Sequence, residues 1–228
     1  MTVADPSLRF EAELFSLGAT AVLGCDEVGR GALAGPVFVG ACAVLPGVQR
    51  FPAGLRDSKM LSERCREDLI PELRSWSAAW AVGERRPDQI DRDGIVQCLS
   101  QSAVDAVRAV LLALPASAVA RVAVVLDGSQ DWLSPVLQDA RVRVFHRPKA
   151  DRDCASVSAA SVLAKVSRDH LMVRGAQTWP GYAWERNKGY GAAAHRQALA
   201  AHGPTPWHRK TWLHLDAPAR SGTWKNRN

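Results

Sequence analysis

Ala21-Val22-Leu23-Gly24-Cys25-Asp26-Glu27-Val28-Gly29-Arg30-Gly31 carries an apolar run into two adjacent carboxylates and then into a glycine–arginine–glycine turn. Acidic side chains are poor strand residues and costly to bury without a partner. Negative charge gathered at the end of a buried strand therefore points to a bound cation. The turn behind it offers flexible glycines, exposed backbone N–H groups and one fixed positive charge, which suits an oxygen-rich anion such as a phosphate–sugar backbone. Metal beside phosphate is the arrangement of metal-assisted phosphodiester chemistry.

The neighbouring segments place this stretch in an α/β fold. Thr20 to Asp26 reads as the first strand, preceded by an amphipathic helix over Pro6 to Leu17. Pro36 to Leu45 is apolar and uncharged, and the connection to it is too short for a crossover helix, so it predicts a second strand antiparallel to the first. Ser62 predicts a capped helix running to about Leu73, and Trp76 to Glu84 a third strand that closes a meander. Apolar residues then recur at helical spacing from Ile90 to Leu114, which predicts the longest helix. Ala120 to Asp127 and Arg141 to His146 read as strands separated by a turn-rich segment with a short helix, and Ala155 to Arg174 as a second long helix. Strand–helix–strand alternation implies parallel pairing through right-handed crossovers. The expectation is a five-stranded mixed sheet, three antiparallel strands then two parallel, flanked by helices. The catalytic domain is expected over residues 1–176 and a helical extension that completes the substrate site over 177–216. A helix near Ala192–Ala201 lies in that extension, and a disordered tail is expected from 217 to 228.

Four acidic positions stand at element ends: Asp26 and Glu27 after the first strand, Asp127 after the fourth, and Asp151 just before the second long helix. If the first and fourth strands are parallel neighbours, Asp26 and Asp127 emerge side by side at the carboxyl edge, where open α/β sheets bind ligands. Each alone reads equally well as a turn or helix-cap residue; four at one edge exceed what capping explains. Adjacent residues of a regular strand face opposite ways, so a shared site predicts irregular backbone between Asp26 and Gly31. Clustered carboxylates raise one another's pKa values, and an all-oxygen donor set suits Mg²⁺ or Mn²⁺ rather than zinc.

Composition agrees with a polyanionic partner. In 228 residues, 47% are apolar, 23% are charged, and the formal net charge is +6, so positive charge must surround the acidic centre. The five cysteines (Cys25, Cys42, Cys65, Cys98, Cys154) show no C-x-x-C pair and read as reduced thiols of a cytoplasmic protein. The histidines form no zinc-spaced cluster with them, and neither a signal-peptide core nor a membrane-spanning run is expected. A monomer is expected.

Taken together these residues resemble the type 2 ribonucleases H, most closely the HII type. The resemblance rests on Asp26-Glu27-Val28-Gly29-Arg30-Gly31 with Leu33 to Val37, Asp57-Ser58-Lys59 with Leu61-Ser62, Asp127-Gly128, Lys149-Ala150-Asp151 with Ser158 to Asp169, and Asn187-Lys188-Gly189-Tyr190-Gly191 with His195. It implies a ribonuclease H-like fold and makes Asp26, Glu27, Asp127 and Asp151 the metal-binding catalytic carboxylates, with Asp169 an auxiliary acid. It implies that Gly29, Arg30 and Gly31 read the 2′-hydroxyl of a ribonucleotide and its phosphate, that Lys59 contacts a backbone phosphate, and that Tyr190 stacks on the sugar of the following deoxynucleotide. The implied substrates are RNA–DNA hybrids and DNA duplexes containing ribonucleotides, cut to leave 5′-phosphate and 3′-hydroxyl ends. Arg30, where the HIII type usually has lysine, and the short segment before the first strand favour HII. Ser129, Ala32 and Trp212 depart from the usual pattern without touching the carboxylates.

Gly29-x-Gly31-x-x-Ala34 also satisfies the dinucleotide-binding fingerprint, but that motif must open a helix and Pro36 begins a strand. His195, His202, His208 and His214 are assigned no catalytic role, and Trp207-His208-Arg209-Lys210 is expected to pack on the domain and add to the basic surface. Two other readings stand beside the nuclease: a binding module of the same fold without chemistry, which predicts a replaced carboxylate, and a resolvase or exonuclease of the wider superfamily, which predicts no glycine–arginine–glycine turn paired with a downstream tyrosine.

Overall fold

The computed structural model describes residues 5–213. Five strands, β1 (Ala21–Val28), β2 (Val37–Val44), β3 (Ala79–Arg85), β4 (Val122–Asp127) and β5 (Val142–Arg147), form one sheet in the order β3-β2-β1-β4-β5. β1–β2 and β2–β3 are antiparallel, and β1–β4 and β4–β5 are parallel. The expected mixed sheet of three antiparallel and two parallel strands is present. Eight α-helices accompany it among the described residues: α1 (Arg9–Ser16), α2 (Glu63–Trp76), α3 (Pro87–Asp93), α4 (Ile95–Ala113), α5 (Ala150–Asp153), α6 (Ala155–Thr178), α7 (Trp184–Asn187) and α8 (Ala193–His202).

Alternation along β1 divides two cores. Ala21, Leu23 and Cys25 face α4 with Val124 and Leu126 of β4, whereas Val22 packs with Val125, Val157 and α1. The small-residue run in α6 lets that helix approach the sheet closely. A Cβ on Gly24 would lie 2.2 Å from the Ser156 carbonyl carbon, and one on Gly40 would lie 2.5 Å from the Ala160 oxygen. The glycines of β1 and β2 and the alanines of α6 are what allow this close contact between helix and sheet.

Four expectations are corrected. The helix expected over Ile90 to Leu114 is two helices, because Gly94 at φ +80° breaks the chain between α3 and α4, and α6, at 24 residues, is the longest. The segment between β4 and β5 holds turns but no helix; Asp131 there accepts from the Leu133 and Ser134 amides, a side-chain turn rather than a continuing ladder. Trp76 ends α2 instead of starting β3. Helix α4 is long and apolar enough by length and composition to cross a bilayer, yet its apolar face packs against the sheet. Ser62 does cap α2, accepting from the Cys65 amide at 3.2 Å. His214 and the expected tail from 217 lie outside the described residues.

Candidate active site

The parallel register of β1 with β4 pairs Cys25 with Leu126, which brings the next residues, Asp26 and Asp127, side by side at the carboxyl edge. Both lie on the α6 face. A cavity of about 430 Å³ opens there, lined by Asp26, Glu27, Gly29, Arg30, Gly31, Ser58, Lys59, Asp127, Lys165 and Tyr190. Segments from five regions of the chain thus meet at one strand edge.

The irregular backbone expected between Asp26 and Gly31 is not found up to Val28: β1 pairs regularly with β2 through Glu27↔Val39 and Val28↔Phe38. Asp26 and Glu27 line the same cavity nonetheless. The β1–β4 pairing ends at Cys25↔Leu126 and β4 itself at Asp127, whereas β1 continues to Val28, so β1 outruns its neighbour and has an open edge from Glu27 onward. A cavity at an open edge is reached from both faces of the strand, and bending is unnecessary. Irregularity begins at Gly29, with φ +83°.

Electrostatics mark the centre. Burial pushes the Asp26 carboxyl well up, and the Glu27 and Asp127 charges push the same way, while the Ser161 hydroxyl and Lys59 favour the ionised form. Burial and the Asp151 charge raise Asp127. Asp127 Oδ1 accepts the Asp151 amide at 3.3 Å, so the first turn of α5 is tied to the end of β4. Asp151 is buried and stands behind Lys59, outside the cavity lining.

Lys59 is placed by its own short turn: the buried Asp57 side chain accepts the Lys59 amide at 3.0 Å and caps the 3₁₀ turn Ser58–Met60. Its ammonium lies 3.1 Å from Asp151 Oδ2 and 3.9 Å from Asp57 Oδ1. Burial pulls its pKa down, but Asp26, Asp57 and Asp151 outweigh burial and raise it. Lys59 is therefore the counter-ion of the acidic centre, held at its solvent-exposed rim. As placed, no three His, Cys, Asp or Glu side chains among the described residues converge on a point that can hold a metal ion. The donor chemistry nonetheless fits a hard divalent cation: the set is all carboxylate oxygen, its counter-charges are Lys59 beside Asp151 and Arg30 Nη1 3.4 Å from Glu27 Oε1, and Asp26 and Asp127 are raised by burial and by their acidic neighbours.

Asp169 stands away from the cavity. It is buried and pairs with Arg66 at 3.6 Å and, at 2.7 Å, with Lys165, which lines the cavity. On the other side, Gly29 donates its amide to the Tyr190 hydroxyl at 3.2 Å, and Leu33 and Ala34 donate to the Gly189 carbonyl. The glycine turn and the tyrosine loop, about 160 residues apart in sequence, are one hydrogen-bonded unit. Tyr190 lies over Arg168, 5.3 Å from its guanidinium carbon.

A model of the ribonuclease HII family matches residues 23–215. The chain belongs to the ribonuclease HII family. It is 44% identical over 200 residues to ribonuclease HII of Streptomyces avermitilis, a match spanning 88% of this chain and 80% of that one. Among solved structures it is similar to the ribonuclease HII of a PCNA complex from Archaeoglobus fulgidus (TM-score 0.65, 24% identity, 89% of this chain and 97% of that one). It is also similar to a Bst ribonuclease HIII in complex with Mn²⁺ (TM-score 0.58, 23% identity, 82% and 71%). Membership makes this ribonuclease HII chain an endoribonuclease of ribonuclease H type that acts on RNA–DNA substrates, and it confirms the ribonuclease H-like fold.

Sequence reading missed the buried cations of this ribonuclease HII chain. Arg168, inside the run Ser158 to Asp169, and Arg209, expected on the basic surface, are both fully buried. His208 is buried as well, so of the expected basic surface only Lys210 is an exposed cation. The signal for Arg209 was present: it follows Trp207 and His208 in an aromatic stretch, and Trp207 stacks on the fully buried Trp184.

Proposed function

We propose that this chain hydrolyses the phosphodiester bond on the 5′ side of ribonucleotides embedded in DNA duplexes, and degrades the RNA strand of RNA–DNA hybrids, leaving 5′-phosphate and 3′-hydroxyl ends. The observation that carries the reading is the single cavity in which Asp26, Glu27 and Asp127 face the Gly29–Arg30–Gly31 turn and Tyr190. Asp26, Glu27, Asp127 and Asp151 are the residues that would hold Mg²⁺ or Mn²⁺; a relative of the same fold was solved with Mn²⁺. Bound there, divalent metal supplies an activated water and stabilises the leaving oxygen of an in-line displacement.

The chain's own groups divide the remaining work. Asp127 and Asp151 hold each other through the Asp151 amide, and the Ser161 hydroxyl supports the charged form of Asp26. Lys59 neutralises the centre before metal is bound and is in reach of a substrate phosphate once its ammonium leaves Asp151. The turn at 29–31 admits a sugar edge to its backbone, where a 2′-hydroxyl, donor and acceptor at once, separates RNA from DNA. Tyr190 presents a ring beside that turn, suited to stacking on the next sugar. Such an activity serves removal of misinserted ribonucleotides and of RNA primers in the cytoplasm.

The test is a DNA duplex with one embedded ribonucleotide. Incision on its 5′ side, dependent on divalent metal and abolished by Asp26→Asn, is the expected result. A folded, metal-loaded sample that leaves this duplex intact overturns the proposal.

A further inference from the structure

Beneath the 29–31 turn lie two guanidinium groups with no carboxylate in salt-bridge contact among the described residues; Asp169 and Asp91 act on Arg168 and Arg209 only at longer range. Arg209 donates to the carbonyls of Gly29 at 2.7 Å, Arg30 at 2.8 Å and Gly35 at 3.0 Å. Arg168 donates to those of Pro36 at 2.9 Å, Lys188 at 2.9 Å and Ala34 at 3.1 Å. Each acceptor is a neutral backbone oxygen, and neither arginine makes a salt bridge among the described residues. Buried charges in proteins are normally paired, because leaving water uncompensated costs several kcal/mol. These two also repel each other: burial first, then the Arg168 charge, holds Arg209 down to about 9. Folding alone does not account for such an arrangement.

The peptide geometry shows what it does instead. In a planar trans peptide the C=O of one residue and the N–H of the next point in opposite directions. Arg209 draws the Gly29 and Arg30 carbonyls inward, so the amides of Arg30 and Gly31 are turned outward. Neither amide donates to a backbone acceptor among the described residues. Consecutive outward amides on a turn form an anion-binding concavity. Gly31 keeps its face clear: a Cβ there would meet nothing within 4 Å and its φ is not left-handed, so nothing inside the protein requires glycine at that position.

We propose that Arg168 and Arg209 are positioning residues that turn the 29–31 backbone outward and supply the buried positive charge whose counter-ion is a phosphate group of the substrate strand. Arg168 extends the same hold to the Tyr190 loop through the Lys188 carbonyl, so turn and tyrosine are set by one layer of guanidinium. The proposal rests on the substrate reading above for the identity of the strand, but not for the existence of the anion site.

Two measurements test it. In the metal-free wild-type protein, titration with inorganic phosphate followed by amide NMR is expected to give saturable shifts at the Arg30 and Gly31 amides; no shift there at millimolar phosphate overturns the proposal. In the second, Arg209→Lys and Arg168→Lys are assayed on the duplex with one ribonucleotide. Lysine keeps the charge but cannot fork across two carbonyls. The expected result is a KM raised about tenfold, kcat lowered less than about threefold, and Mn²⁺ affinity unchanged. A folded variant with unchanged KM, or one whose Mn²⁺ affinity falls in step with its activity, overturns the positioning role. If the lysine variants do not fold, the phosphate titration decides alone. Phosphate shifts in a protein that leaves the duplex uncut would sink the substrate reading while the anion site stands.

Discussion

A Cβ on Gly29 would lie 2.1 Å from Arg168 Nε on backbone already at φ +83°, whereas one on Gly31, two residues on, would meet nothing within 4 Å. The two glycines of one turn are therefore glycine for different reasons, the first for packing and the second for a ligand. Gly29→Ala is expected to destabilise the protein by about 2 kcal/mol or more, combining a left-handed φ with a clash against a buried guanidinium. Gly31→Ala is expected to leave stability within about 1 kcal/mol, yet to cut turnover of the ribonucleotide-containing duplex about tenfold. Thermal melts and a cleavage assay separate them; equal loss of stability in both would remove the argument. Asp26 gives a second case. Its carboxyl is raised in the fold, so folding favours the protonated form, and the stability this brings is present at low pH and lost as pH rises through the folded value. At neutral pH the metal-free protein carries that cost. Asp26→Asn is expected to stabilise the metal-free protein by about 1 kcal/mol at pH 7, and to remove the Tm rise that Mn²⁺ gives the wild type. A variant that melts lower than wild type without metal contradicts this account of the centre.

At the scale of elements, the carboxyl-terminal helices brace the tyrosine loop through a directional chain of hydrogen bonds. The Tyr190 carbonyl can only accept, so the neutral His195 ring carries its proton on Nδ1, 2.9 Å away. The Thr205 amide can only donate, so His208 accepts at Nδ1 and holds its proton on Nε2, 3.0 Å from His195 Nε2. Trp184 Nε1 donates to the same His195 nitrogen at 3.1 Å. Every partner is satisfied only while both rings are neutral. Burial first, then the charge of His195, depresses His208 to about 4, and burial lowers His195 too, partly offset by the Tyr190 carbonyl. A depressed folded pKa means stability that is present above the unfolded value and lost as pH falls toward the folded one. The window is therefore from about pH 6.5 down to about 4. Within it the wild type is expected to lose on the order of 2 kcal/mol that His208→Gln does not lose, visible as a flatter dependence of Tm on pH in the variant. Parallel curves for the two proteins would refute the neutral relay. The sequence presents these histidines as separate residues in a loop-rich region, because the spacing of His195 and His208 says nothing about a ring-to-ring contact.

Over the whole molecule, a net charge of +6 surrounds a centre three of whose carboxylates, Asp26, Glu27 and Asp127, line one cavity. Binding of an RNA–DNA hybrid should therefore release counter-ions, with log K falling against log salt at a slope of roughly −3 or steeper. Fluorescence anisotropy of the metal-free protein on a labelled hybrid measures it; a slope near zero would show that the positive surface does not meet the duplex. The acidic ends of β1 and β4, the glycine–arginine–glycine turn, the mixed sheet and the second long helix were all legible in the chain, because each is written in neighbouring residues: alternation, β-branched runs, turn chemistry and capping act over a few positions. What only the tertiary structure decided is where the cations went. Arg209 reaches Gly29 across 180 residues, Arg168 reaches Ala34 across 134, and Lys59 meets Asp151 across 92. An arginine in a sequence reads as surface, since burial of its charge depends on acceptors that distant segments bring to it. The same holds for Asp26 and Glu27, whose shared cavity comes from β1 running on past the end of β4 rather than from any bend in their own strand.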